Sequence, residues 1–405
     1  MKVCIDATPI GIVTPDKGGV YRYIFELIRG LSFLDSDDEY TLFFNFSRKE
    51  HLPVFHEVIS KLGLGKNFRI RHSKFPVRFR RIMEPPMEFL AGKFDIFHAC
   101  FDYFPRILSG RGIVTIHDIR YLEEQAVAPD SEWVRILKET NPAHENLLRD
   151  YAARADLFHH LSSTIRKTIR RAHMVITVSE FCRGRLMELL KLPDEKIRVV
   201  YHGVDKRFLL PLKCDNVLSV LNRFGIERPY VLYTGKFDPS KNLIRLLEAF
   251  GTVCCFHDIV LVMVGPKNWF YHIIHETAKK LGIDNRIKFT GFVDDDDLVS
   301  LYNGASVFAL PSLYEGFGIP LLEAMACGVP VVASNVCSVP EVIDDAGILV
   351  DPLSIASIAE GIRRVLSDTA VKNDLVQKGL ERAKLFSWEK TARETREIYR
   401  KVYRG

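Results

Sequence analysis

The chain has 405 residues, of which 47% are hydrophobic, 26% charged and 11% aromatic, and its formal net charge is +5. At roughly 150 residues per domain, that length implies two or three domains with cores of their own. The composition excludes disordered, collagen-like and low-complexity chains. No apolar run approaches the ~18–20 residues of a membrane span. The N-terminus MKVCIDATPIGI lacks the apolar core and cleavage site of a signal peptide. The eight cysteines are scattered without C-x-x-C spacing. The expectation is a cytoplasmic protein with reduced, mostly buried thiols and no zinc or other metal site.

In chain order, KVCIDA reads as a strand, GVYRYIFELIRGL (19–31) as a helix and YTLFFNF as a second strand. Residues 66–81 then carry seven basic side chains (Lys66, Arg69, Arg71, Lys74, Arg78, Arg80, Arg81) and no acidic one. Aromatics are interleaved among them. The reading favoured over nucleic acid is a patch meeting anionic lipid headgroups, with a solvated surface loop as the plainer account. The strand-like runs DIFHAC, GIVTIHD and MVITVSE follow, with a helix-like stretch from about 131 to 170 between the last two. In MVITVSE, Ser179 is placed to cap a helix starting at Glu180. His98 ends a strand and reads as structural.

The Pro/Gly content of YHGVDKRFLLPLK marks a boundary near Tyr201–Leu212. Beyond it, PYVLYTG, IVLVMVG, IKFTG, ASVFALPS and VPVVAS are short apolar runs without strict alternation. Such runs fit strands buried on both faces of a parallel sheet. Helical patterns separate them, which gives a doubly wound α/β domain. The final helix shows an apolar stripe of Trp388, Thr391, Thr395, Ile398 and Val402. Two open α/β sheets bind ligands outside the carboxyl ends of their strands, so the expected site is the cleft between two such domains.

The most informative segment is PSLYEGFGIPLLEAMACGVP (311–330). Gly316 and Gly318 break regular structure after Glu315, and Pro320 suits the first position of a helix. Glu315 is then expected in a tight loop and Glu323 one turn into the helix. The helix N-terminus near Ile319 to Leu322 suits a phosphate, and carboxylates suit a polyol. A plainer account of Glu323 is a glutamate favouring the helix dipole. The turn Gly235-Lys236-Phe237-Asp238-Pro239-Ser240-Lys241-Asn242 follows a strand. Its two lysines can neutralise a diphosphate, or are simply solvated, and Ser240 or a neighbour is a candidate cap for the next helix. Asp294 to Asp297 precede a helical pattern and read as a dipole-favouring first turn rather than a metal site.

Glu315-x7-Glu323, the GK…KN turn, Gly265-Pro266, Phe289-Thr290-Gly291-Phe292-Val293 and Gly18-Gly19 occur in this order. Together they resemble family 4 of the retaining, GT-B-fold glycosyltransferases. The resemblance spans nearly the whole chain and is strongest over about 197–355. It implies two Rossmann-like, doubly wound domains facing across a cleft: residues 1–205 with 386–405 on the acceptor side, and 206–385 binding a nucleotide-sugar. The C-terminal helix would cross back to the first domain.

Residue by residue, the resemblance implies that Glu323 holds ribose hydroxyls and Glu315 lies by the donor sugar. The backbone at Gly316, Phe317 and Gly318 would meet the sugar, and that at Ile319 and Leu322 the phosphates. Lys241 would grip the diphosphate. Lys236 stands where the family usually has arginine, which keeps the charge but loses the bidentate fork. Gly235 and Gly265 would border the nucleotide, Phe292 and Val293 its base, and Gly18 and Gly19 the diphosphate from the other domain. His117, after a strand in GIVTIHD, would sit at the catalytic face beside Asp118.

The implied reaction moves a hexose from a nucleoside diphosphate sugar to a glycan or lipid-linked glycan in surface polysaccharide synthesis. Configuration would be retained, domain closure would expel water, and no separate cofactor or nucleic acid would take part. The segment 334–352 resembles transferases using GDP-mannose, which is favoured over a UDP-sugar. The enzyme would be cytoplasmic, at the inner face of the membrane if residues 66–81 touch lipid. Competing classes are a nucleotide-sugar epimerase or hydrolase and a non-catalytic glycan-binding partner.

Overall fold

The computed structural model describes residues 1–12, 18–46, 48–75, 84–101, 103–122, 161–227 and 229–405. Among these, Gly203–Ser387 form one compact unit, and the remaining residues, ending with Trp388–Gly405, form the other.

The first unit is built on a seven-stranded parallel sheet. Its strands are β1 (Lys2–Asp6), β2 (Glu39–Asn45), β3 (Phe68–Ser73), β4 (Ile96–Ala99), β5 (Arg111–Ile116), β6 (Met174–Thr177) and β7 (Ile197–Val199). They lie in the order β3-β2-β1-β4-β5-β6-β7. Ile5 pairs with Leu42 on one side and His98 on the other. Every residue of β4 and β6 is buried, the polar His98 and Thr177 included, which is why these strands read as nearly continuous apolar runs.

Two strands differ from the sequence reading. Residues 68–73 are not a loop but the edge strand β3, and its Arg69 and Arg71 are exposed. Charge on an edge strand discourages pairing with another chain, and the dense positive charge hid the short alternation Phe68-Arg69-Ile70-Arg71. The three-residue β7 was too short to leave a pattern. Residues 76–81 of the basic stretch, and 131–160 of the expected helix, lie outside the described residues; 161–171 are helical.

The helix Trp388–Arg404 packs on the helix Gly19–Phe33 and against β4 and β5. All five residues of the expected stripe are buried. Thr391 Oγ1 donates to the Tyr201 carbonyl at 2.7 Å, and Arg396 pairs with the buried Asp38 at 2.8 Å. The chain thus returns to its first unit. Ser179 caps the helix Glu180–Leu190 by accepting from the Cys182 amide at 3.2 Å.

The second unit has six parallel strands: β8 (Tyr230–Thr234), β9 (Val260–Val264), β10 (Ile287–Gly291), β11 (Val307–Leu310), β12 (Val331–Ser334) and β13 (Gly347–Val350). Their order is β10-β9-β8-β11-β12-β13. The sequence reading omitted β13, an edge strand led by glycine and mostly half-exposed, whose register runs from Val331 beside Gly347 to Ser334 beside Val350. In both sheets the strand order reverses once, between β1 and β4 and between β8 and β11. That reversal leaves a crevice beyond the carboxyl ends of the strands, where open α/β sheets bind ligands.

None of the eight cysteines forms a disulfide. Only Cys4, Cys100 and Cys182 are buried; Cys214 and Cys255 are exposed, and the other three are half-buried. The expectation of mostly buried thiols is corrected accordingly: Cys214 opens a surface helix and Cys255 follows the end of another.

Candidate active site

In the second unit the crevice is assembled from the loops after β8 and β11. Beyond Gly235, the Asp238 side chain accepts from the Ser240 amide at 3.0 Å and caps the short turn Pro239–Lys241. The cap is therefore Asp238, and Ser240 is a buried member of the turn. Asn242 takes the left-handed conformation (φ 57°), which asparagine tolerates better than most residues. Its Nδ2 donates to the carbonyls of Pro311 at 3.0 Å and Pro352 at 2.7 Å. One buried amide thereby fixes the β8 loop to the segments after β11 and β13.

This turn carries Lys241 to Glu315, with Nζ 2.7 Å from Oε1. Ser312 Oγ donates to the same oxygen at 2.8 Å. The one Ser338 Oγ proton is shared between the carbonyls of Glu315 at 2.9 Å and Phe317 at 3.2 Å, pinning the loop. The Phe317 ring, buried, packs against Phe386 at 6.0 Å. Gly316 joins Glu315 to Phe317. Gly318 has φ +98°, and a Cβ there would sit 2.7 Å from Leu321, so only glycine turns the chain into the helix Ile319–Ala326 without strain. That helix starts at Ile319, so Pro320 is second rather than first, still where no amide is required.

Glu323 follows one turn later and is buried. Tyr302 OH donates to its Oε2 at 2.9 Å, and Thr234 Oγ1 lies 2.6 Å from the Tyr302 hydroxyl. Burial, and then the Glu323 charge, push the Tyr302 phenol well up, so it stays a donor. The glutamate is thus held by a side-chain network and not by the helix dipole alone.

Lys236 is exposed at the rim of the crevice, yet partial desolvation draws its pKa down. Asp238 opposes that shift and Lys241 adds to it. Two ammonium groups that repel in a partly dry crevice gain from any anion placed between them. Gly265 follows β9, and a Cβ there would fall 2.0 Å from the Gly235 carbonyl oxygen, which forces glycine at this approach of two strand ends. After β10, Phe292 is exposed and Val293 is buried. The Leu322 side chain belongs to the core, leaving only its backbone for a ligand. The strand ends of this sheet thus gather Gly235, Lys236, Lys241, Gly265, Phe292, Val293 and the run from Glu315 to Glu323.

Asp294 accepts from the Asp297 amide at 2.9 Å and caps the helix Asp295–Gly304. Arg207 meets Asp295 at 3.3 Å and Arg223 meets Asp297. The acidic run is a paired helix start, and no cluster fit for a metal ion exists among the described residues.

His117, Gly18 and Gly19 belong to the first unit. Gly18 precedes the helix Gly19–Phe33 in an extended conformation. His117 Nε2 donates to the Cys100 carbonyl at 3.0 Å, so Nδ1 is the unprotonated nitrogen. Its ring meets Tyr23 edge-on at 4.6 Å and stacks on His202 at 5.4 Å. Burial holds its pKa down at about 4. Asp118 accepts from the Arg120 amide at 2.8 Å, a loop cap. His98 is a structural histidine: its Nδ1 lies 2.6 Å from Tyr399 OH and its Nε2 2.8 Å from Thr115 Oγ1.

Comparison with known proteins places this geometry. A model described as Glycosyl transferases group 1 matches residues 222–382, and a model of Glycosyltransferase Family 4 matches residues 17–208. The two matches together span most of the chain, which is a glycosyltransferase built of these two domains. It is similar to O-antigen chain mannosyltransferase B of Escherichia coli, at 29% identity over 391 residues, covering 94% of this chain and 96% of that protein. The serotype-specific mannosyltransferase WbdA of E. coli is 28% identical over 229 residues, which are 55% of this chain and 28% of that one. Among solved structures, sucrose-phosphate synthase from Thermosynechococcus elongatus superposes with a TM-score of 0.69 at 20% identity, covering 100% of this chain and 99% of that one.

The group 1 match encloses every residue of this glycosyltransferase from Gly235 to Glu323 named above. Sequence reasoning did not find Ser312, Ser338, Tyr302 or Thr234. Ser312 stands three residues before Glu315, a spacing that carried a faint signal. The other three come from separate elements, so their convergence had no local trace.

Proposed function

We propose that the protein transfers a mannosyl group from GDP-mannose to a glycan or lipid-linked glycan acceptor in surface polysaccharide synthesis, retaining the anomeric configuration. The observation that carries this reading is Lys241 paired with Glu315 beside the start of the helix Ile319–Ala326, at the strand-order reversal of the second sheet. The mannosyltransferases named among its relatives support the choice of sugar.

In this reading Glu323 accepts hydrogen bonds from the ribose, and Lys236, Lys241 and the helix start hold the diphosphate. Lys241 has three donors; one meets Glu315, so capacity remains for phosphate oxygens. In the reaction the bond from C1 of the sugar to the β-phosphate oxygen breaks. A bond from C1 to the acceptor oxygen forms on the same face, and the acceptor's proton passes to the departing phosphate. Charge grows on that phosphate, where the two lysines stabilise it most. Glu315 Oε1 already accepts from Lys241 and Ser312, which blunts it as a covalent nucleophile and favours same-face attack. His117, with Nδ1 unprotonated, is suited to accept from a hydroxyl of the sugar or acceptor. No metal or further cofactor is assigned a role.

No described helix is long and apolar enough to cross a membrane. Contact with an anionic leaflet on its cytoplasmic side, through exposed Arg69 and Arg71, is part of the proposal.

Thermal melts with GDP, UDP, ADP and their mannose or glucose forms test the donor. A nucleotide at 100 times its dissociation constant adds about 2.7 kcal/mol of stability. Stabilisation by GDP and GDP-mannose is expected. Stabilisation by UDP alone would replace the donor with a UDP-sugar. A response to no nucleotide would overturn the transferase reading in favour of a glycan-binding partner, and donor turnover without acceptor would favour a hydrolase or epimerase.

A further inference from the structure

We infer that Tyr302, itself oriented by Thr234, is a positioning residue that sets the preference of the nucleotide site for ribose. The inference rests on the reading above that Glu323 receives the ribose hydroxyls.

The hydrogen-bond directions are fixed by chemistry. A carboxylate only accepts, so Tyr302 OH must donate to Glu323 Oε2 across 2.9 Å. Having given its one proton there, it can only accept from Thr234 Oγ1 at 2.6 Å. A one-way relay therefore runs from the end of β8, through the helix Asp295–Gly304, to the helix Ile319–Ala326. Neither group behind Glu323 is loose. Thr234 is β-branched and stiff at χ1, and it lies in a buried strand. The Tyr302 ring is fully buried, between Phe208 at 5.7 Å and Phe308 at 5.6 Å.

The consequence falls on the carboxylate plane. A glutamate side chain turns about its last bond with little preference, and a diol needs both of its hydroxyls met at once. Fixing Oε2 removes that rotation before the ligand arrives, so less entropy is lost on binding. An ionised carboxylate has about four lone-pair positions, so accepting from Tyr302 leaves capacity for two hydroxyls. Tyr302 touches no substrate in this account and acts only through Glu323.

The test is calorimetric titration of GDP and 2′,3′-dideoxy-GDP into the unaltered protein, Tyr302→Phe, Thr234→Val and Glu323→Gln. The unaltered protein is expected to prefer GDP by at least about tenfold, the worth of a charge-assisted hydrogen bond. Tyr302→Phe should lose most of that preference by weakening GDP while leaving dideoxy-GDP unchanged. Thr234→Val should lose part of it, and Thr234→Ser should restore it. A merely structural role for Tyr302 would weaken both nucleotides together, and that result overturns the inference. Full preference in Tyr302→Phe alongside its loss in Glu323→Gln also overturns it, while sparing the ribose reading. Full preference in Glu323→Gln overturns the ribose reading itself.

Discussion

Lys241→Ala and Glu315→Ala are each expected to lower glycosyl transfer by at least about 10²–10³-fold, the loss seen when one preorganised donor to a developing anion is removed. Lys241 supplies that donor, and Glu315 fixes where it points. The two side chains meet at 2.7 Å and are largely shielded from water, so each single change also strands the other's charge. Breaking a fully buried pair costs about 3–5 kcal/mol; here the figure should be smaller, because Lys241 keeps 22% of its side chain exposed. The double change Lys241→Met with Glu315→Gln should therefore recover stability without recovering transfer. Steady-state rates and urea denaturation on the three variants separate the two effects. Wild-type rates in both single variants would remove this pair from the active centre.

Acid is expected to destabilise the first unit strongly. Burial holds His98 down at about 3 and His117 at about 4, each against an ordinary value of 6.5, and the His98 shift is increased by His117. Burial also drives His202 well below its ordinary value, and His117 adds to it. Between pH 6.5 and about 4 the unfolded chain binds protons at these imidazoles and the folded chain does not. Stability therefore rises with pH in that window and falls as the solution is acidified through it, by several kcal/mol on the order of one per histidine or more. Unfolding free energy measured from pH 7 to 4 should show this slope, and His98→Gln should reduce it while His117 and His202 keep the rest. A level profile down to pH 4.5 would contradict the buried, neutral state of these rings. The same argument expects no inflection from His117 in the transfer rate near pH 6.5.

Much of the architecture was legible because parallel strands buried on both faces must be apolar throughout. IVLVMVG and ASVFALPS could hardly be anything else once helical periods separated them. The terminal stripe from Trp388 to Val402 was legible for the same reason, since one helical face is the only place it can be buried. The edge strands β3 and β13 escaped, although β10, also at an edge, was read from IKFTG: β3 has no buried residue and carries two arginines, and β13 is four residues long with only Val350 buried. In the site, local chemistry was readable where spacing within one element decides it. Gly318 before Pro320, and Glu323 one turn on, follow from how helices start. Long-range chemistry was not. Ser338 under the Glu315 loop, Asn242 between two prolyl carbonyls, and Thr234 behind Tyr302 join residues 21 to 110 positions apart. Of Ser240 and its neighbours, the candidates for a cap, Asp238 caps the short turn Pro239–Lys241, and the helix Leu243–Val253 starts from Asn242 with no side-chain cap.

The central claim is that a nucleoside diphosphate sugar sits at the strand-order reversal of the second sheet. Hydrogen exchange of the whole protein with and without saturating GDP-mannose tests it most directly. The account predicts added protection concentrated in the amides of 235–242 and 315–323, with smaller changes after β10. Protection confined to other segments, or none at a concentration that stabilises the fold, would contradict it.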